Sequence, residues 1–244
     1  MSRTTPRPAL SFLLAVMVSS GALWGQSLTV KGRVTLVGAV TGKPDADNSQ
    51  AVVWLTSLDD PRVAWKPGNP TAHFQLVQKD KRFRPHILVV PVGAVVEFPN
   101  RDPFFHNVFS LFDGKRFDLG LYEAGATKTV TFNAPGVSYI FCNIHPEMSA
   151  VVLAIRSPYY AISRPAGDFA IANVPAGLYR LNVWQERCPP EALKTAARVV
   201  DVSGSALTLG EIRLPESGDL LAKHKNKYGQ TYEPVPSTPG YDQP

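Results

Sequence analysis

The chain has 244 residues, 44% of them hydrophobic, with 25 Lys and Arg against 20 Asp and Glu for a formal charge of +5. That is apolar enough to bury real cores and longer than the commonest domain size, so about two small domains are expected. The mild basic excess comes without any nucleic-acid-binding motif, so nucleic acid is not an expected partner.

In chain order, Arg3 and Arg7 precede an apolar run from Ala9 to Val18, followed by the small residues Ser20 and Ala22. This reads as a secretory signal peptide over residues 1–25, too short in its apolar run to favour a membrane span. Its removal takes two basic residues and no acidic one, lowering the formal charge from +5 to +3. The expected location is outside the cytoplasm, in the periplasm, with no span in the mature chain. Short runs rich in Val, Ile, Thr, Phe and Tyr then alternate with Pro, Gly, Asn and Asp, the pattern of an all-β sandwich or barrel. Residues 59–71 carry Pro61, Pro67, Gly68 and Pro70 and read as a connector. Lys79, Lys81, Arg82 and Arg84, interrupted by Asp80 and Phe83, fit the solvated face of a hairpin. In Thr127-Lys128-Thr129-Val130-Thr131-Phe132 the alternation turns Val130 and Phe132 to one side. After Ala134-Pro135-Gly136, the strand Ser138-Tyr139-Ile140-Phe141 delivers Cys142 to its end. Residues 215–244, with five prolines and a basic patch from Lys223 to Lys227, read as a mobile tail in which His224 is solvated.

The run Cys142-Asn143-Ile144-His145-Pro146-Glu147-Met148 places a thiolate, an imidazole and a thioether within seven residues. Soft sulfur favours Cu(I) while imidazole accepts either oxidation state, so this is a copper ligand set lacking one histidine. His106, in the loop that follows Val95, Val96 and Phe98, is the best candidate for it. Structural zinc is the chemical alternative, but zinc is normally satisfied by Cys, His or carboxylate, and Met148 argues against it. A Cys142/His145 nucleophile pair is also conceivable, without an evident third group to orient it. Met148 is the sole methionine beyond residue 25. With Cys142 on a metal, Cys188 has no partner for a disulfide. His73 and His86 lack a nearby ligand partner in sequence and stay outside the site.

At these residues the sequence resembles the cupredoxin family, in particular its plastocyanin-like and amicyanin-like members. The resemblance covers roughly residues 72–156: the strand Ile87-Leu88-Val89-Val90, the turn Pro91-Val92-Gly93, the Phe98-x-Asn100 approach to His106-Asn107, and the Cys142 to Met148 loop. It implies a Greek-key β-sandwich with one type 1 copper. His106, Cys142 and His145 would be the equatorial ligands and Met148 the axial one, with the Asn107 N–H near the Cys142 sulfur. It also implies a carrier of single electrons rather than an enzyme, and a redox partner such as a c-type cytochrome or a dehydrogenase.

Residues 157–214, with Val174-Pro175-Ala176-Gly177-Leu178-Tyr179, resemble the later strands of a carboxypeptidase regulatory-like, transthyretin-like (prealbumin-like) sandwich. Its first strands resemble Val30-Lys31-Gly32-Arg33-Val34 and Ala51-Val52-Val53-Trp54-Leu55. Residues 28–58 and 157–214 are therefore expected to form one discontinuous sandwich with the cupredoxin inserted. The alternative is that residues 28–58 add strands to the cupredoxin. Two other functions stay open: a copper carrier using the same ligands, and a carbohydrate- or protein-binding sandwich with copper secondary.

Overall fold

The computed structural model describes residues 27–38, 41–59, 73–111, 114–204, 206–218 and 224–232. The signal-peptide reading of residues 1–25 lies outside them, as does nearly all of the 59–71 connector. The protein is an all-β sandwich assembly, with one short helix among the described residues. Among the described residues no helix is long and apolar enough to cross a membrane.

Two strands open the chain, β1 (Ser27–Gly38) and β2 (Val52–Ser57). Ten follow: β3 (Phe74–Gln75), β4 (Val77–Lys79), β5 (Arg82–Arg84), β6 (Ile87–Pro91), β7 (Ala94–Pro99), β8 (His106–Ser110), β9 (Phe117–Tyr122), β10 (Thr127–Phe132), β11 (Gly136–Cys142) and β12 (Ser149–Ile155). The basic run over residues 79–84 is indeed a hairpin, β4 against β5. The remainder is β13 (Tyr160–Ile162), β14 (Asp168–Pro175), β15 (Gly177–Trp184), α1 (Pro190–Ala196), β16 (Arg198–Val202) and β17 (Leu207–Glu216).

Pairing ties the first two strands to the last five. β1 lies between β14, antiparallel, and β17, parallel; β2 lies between β13 and β15, with β16 outermost. The middle strands make their own two sheets, β10-β7-β3 and β6-β12-β11-β8-β9. The chain leaves β2 and returns before β13 at nearly one place, because the Leu55 N–H donates to Tyr159 O at 2.9 Å and the Ser157 hydroxyl donates to Leu55 O. Gly167 holds the β13–β14 turn against β1. Its φ is +85°, and a Cβ there would stand 1.9 Å from Val34 O, so only glycine fits.

Side chains alternate along each strand and fill three cores between four stacked sheets. Val53, Leu55, Leu181 and Val183 face Val30, Val34, Phe169 and Ile212. Val96, Phe98, Val130 and Phe132 face Val108, Ile140, Ala150 and Val152. The third core joins these units: Val52 and Trp184 from one pack on Ile87, Val89, Phe109, Phe141, Val151, Leu153 and Ile155 from the other. β12 is thus apolar on both faces, Ala150, Val152 and Ala154 inward and Val151, Leu153 and Ile155 outward. A strand covered on both sides reads as an unbroken apolar run, which residues 150–155 are.

Candidate metal centre

The site lies at one end of the β6-β12-β11-β8-β9 sheet. β8 opens on His106, opposite Tyr122 of β9, and β11 closes on Cys142, opposite Val108 of β8. The loop beyond Cys142 is folded back by three backbone bonds. Cys142 N–H donates to Met148 O (3.2 Å), Met148 N–H to His145 O (3.1 Å) and Asn143 N–H to Asn107 O (2.9 Å). The loop before β8 is held by Asn100, whose amide donates to Phe104 O (2.8 Å) and whose Oδ1 accepts from Asp102 N–H (3.0 Å).

These two loops bring three ligand atoms together. Cys142 Sγ is 3.7 Å from His106 Nδ1 and 3.5 Å from His145 Nδ1, and the two Nδ1 atoms are 3.1 Å apart. A point in their plane lies about 2.0 Å from each, the reach of a metal–imidazole bond and slightly inside the usual ~2.3 Å metal–thiolate length. Among the described residues this is the one cluster of His, Cys, Asp or Glu able to hold a metal ion. His106 and Cys142 are fully buried and His145 is half-buried. Met148 is also fully buried, in the core that contains Cys142. The donor set, two imidazole nitrogens and a thiolate beside a buried thioether, fits copper.

Electrostatics agree with ligands kept ready for a cation. Burial pushes the His145 imidazole down to about 4, and the neighbouring His106 adds to this. Burial lowers His106 as well, against the opposing pull of Asp102. Both rings are therefore neutral near pH 7 and able to donate lone pairs. Burial raises the Cys142 thiol, while backbone N–H groups of Ile144, Asn107 and His145 at the sulfur work toward the thiolate.

Two features were not anticipated. Asp102 is buried, and its Oδ2 accepts from His106 Nε2 at 2.9 Å; the i−4 carboxylate in Asn100-Arg101-Asp102-Pro103 was the only sequence signal for it. The second corrects the reading of the tail. Residues 224–232 lie against the Cys142 loop. His224, expected to be solvated, stacks on Phe141 with ring centroids 4.1 Å apart. The Tyr232 hydroxyl donates to Cys142 O (2.9 Å), Lys227 N–H to Asn143 Oδ1 (3.0 Å) and Lys227 Nζ to Asp118 Oδ2 (2.8 Å). No sequence pattern could have announced these, since one ends on a backbone carbonyl and another starts from a backbone N–H. His73 pairs with Glu97 and His86 with Glu186, and neither joins the ligand cluster.

The sequence matches no protein-family model and no curated protein. Among solved structures it is similar to a copper-containing nitrite reductase from Thermus scotoductus SA-01, at 26% identity over 34% of this chain and 22% of that one, TM-score 0.32. It is also similar to a purple cupredoxin from Nitrosopumilus maritimus, at 25% identity over 33% of this chain and 98% of that one, TM-score 0.31. A reduced mutant of amicyanin aligns at 18% identity over 42% of this chain and 97% of that one, TM-score 0.33. The chain spans about a fifth of the length of the nitrite reductase.

Proposed function

We propose that this is an exported type 1 copper protein that carries single electrons between redox partners and does not itself turn over a substrate. The observation that supports this reading best is the convergence of Cys142 Sγ, His106 Nδ1 and His145 Nδ1 within 3.7 Å of one another at a buried point. His106, Cys142 and His145 are the equatorial ligands in this reading, and buried Met148 is the weak axial one. Bound copper supplies one-electron exchange; the chain supplies a site whose geometry changes little between Cu(I) and Cu(II).

The partner, a c-type cytochrome or a dehydrogenase, meets the protein at half-buried His145. Phe105 (47% exposed) and Ile144 (43% exposed) provide an apolar contact there. The basic β4–β5 hairpin, in which Asp80 pairs with Lys79 and Arg84, reaches this face through Lys81, whose Nζ lies 5.5 Å above the Phe104 ring that touches both histidines. Such a surface suits a partner with an acidic face, whose association is steered at low salt and slows as salt screens it.

The test is spectroscopic. Copper-loaded protein shows intense visible thiolate-to-copper absorption, lost in Cys142→Ser and in His106→Ala; a colourless Cu(II) form of the parent overturns the reading. Copper that a competing chelator removes rapidly from the coloured protein points to a carrier instead.

A further inference from the structure

Asp102 is a carboxylate buried at the base of the site, in contact with a ligand ring and held from every side. Its Oδ2 accepts from His106 Nε2 (2.9 Å) and from Lys81 N–H (3.0 Å), and its Oδ1 accepts from Asp80 N–H (2.7 Å). Its own N–H is fixed by Asn100 Oδ1, and Asn100 is anchored in turn by Phe104 O, Ala126 O and the Gly125 N–H. A carboxylate kept this way accepts hydrogen bonds and offers none. The ring it faces must therefore place its proton on Nε2 and leave Nδ1 bare, and Nδ1 is the atom aimed at Cys142 and His145.

We infer that Asp102 is the positioning residue that fixes the His106 tautomer and biases the centre toward the oxidised metal. A carboxylate on the far nitrogen of a ligating imidazole orients the ring and raises its basicity. It also adds a negative charge in a buried, poorly screened place, and Cu(II) gains more from both effects than Cu(I) does. The Lys81 ammonium opposes it from over the Phe104 ring, in a half-buried position where solvent screens it better. This inference rests on the copper reading and asks something further of it: which oxidation state the surroundings of His106 favour.

In the full chain loaded with copper, Asp102→Asn keeps the visible absorption. Its Cu(II)-to-Cu(I) affinity ratio falls about tenfold or more, equivalent to a rise in potential of about 59 mV for a one-electron couple. If Asp102 served only to pin the Asp80–Lys81 turn, the variant would lose stability and keep the parent's affinity ratio, and the inference would be overturned. A colourless parent would instead sink the copper reading itself. Nitrogen-15 NMR of the metal-free parent needs no variant to fold. His106 is expected as the Nε2–H tautomer with a bare Nδ1; a ring carrying its proton on Nδ1 overturns the inference whatever the metal does.

Discussion

In the proposed copper protein, single residues decide what the centre binds and where electrons would leave it. Met148 is buried beside Cys142 and carries the weakest of the four proposed bonds, so Met148→Leu is expected to keep the colour and raise the potential, since a lost donor disfavours Cu(II). An unchanged potential would take Met148 out of the coordination sphere. At the surface, a charge in the apolar contact disturbs docking without touching the metal. Phe105→Glu or Pro146→Glu leaves the spectrum nearly unchanged and slows electron exchange with the native partner several-fold in stopped-flow; rates equal to the parent's would place the docking face elsewhere. The convergence of His106, Cys142 and His145 could be read from the sequence because their chemistry is compressed into one loop plus one histidine. Asp102 could not. An aspartate before a proline in a loop looks the same whether it caps a turn or supports a ligand, and only folding brings its Oδ2 to His106 Nε2.

Among the elements, the β11–β12 connection was the most legible and the docked segment 224–232 the least. The alternation in residues 127–132 and the strand ending at Cys142 are local patterns, and the structure keeps both. The pairing of β1 with β17 joins residues far apart in sequence, and α1 has no buried residue to mark it by an apolar stripe. The segment 224–232 has consequences for the metal loop. Its hydrogen bonds to Cys142 O and Asn143 Oδ1 each contribute about 1 kcal/mol net, roughly a fivefold effect on local opening. A chain ending at residue 217 is therefore expected to exchange the Asn143 and Met148 amides at least that much faster; unaltered exchange would show that the segment does not support the loop. Its docking also depends on pH. Burial works to raise the Asp118 carboxyl, but the bonds from Lys227, Asn107 and Gly120 N–H outweigh it and hold it below the usual range. A carboxyl depressed in this way stabilises the docked form above its unfolded value, and that contribution is lost as pH falls through the depressed one. Protection of the loop amides, taken relative to their intrinsic exchange rate at each pH, should therefore fall on acidification below the ordinary carboxylate range.

Among the described residues four sheets stack, and a third core joins the two outer ones. Leu153, on the outer face of β12, lies in the joining core with Val52 and Trp184. Leu153→Ala is expected to cost about 2–5 kcal/mol, measured by denaturant unfolding, although it touches no ligand. We propose that residues 28–58 and 157–214 are one domain interrupted where Leu55 and Ser157 meet. Replacing residues 72–156 by a short flexible linker then leaves a unit that folds cooperatively, whereas residues 157–214 alone do not fold. The linker variant bares Val52, Trp54, Tyr160 and Trp184, so it is expected to self-associate in sedimentation. A stable fold from residues 157–214 alone would refute the interrupted-domain proposal.

In the proposed electron carrier, the joining core also sets the timing of transfer. Val52 and Trp184 are seated among Val89, Phe141, Val151 and Leu153. A partner that grips the far sandwich therefore meets His145 at one fixed separation. Inside such a complex, electron exchange is expected to run as a single exponential whose rate is indifferent to solvent viscosity, where two domains on a tether would have to swing into range first.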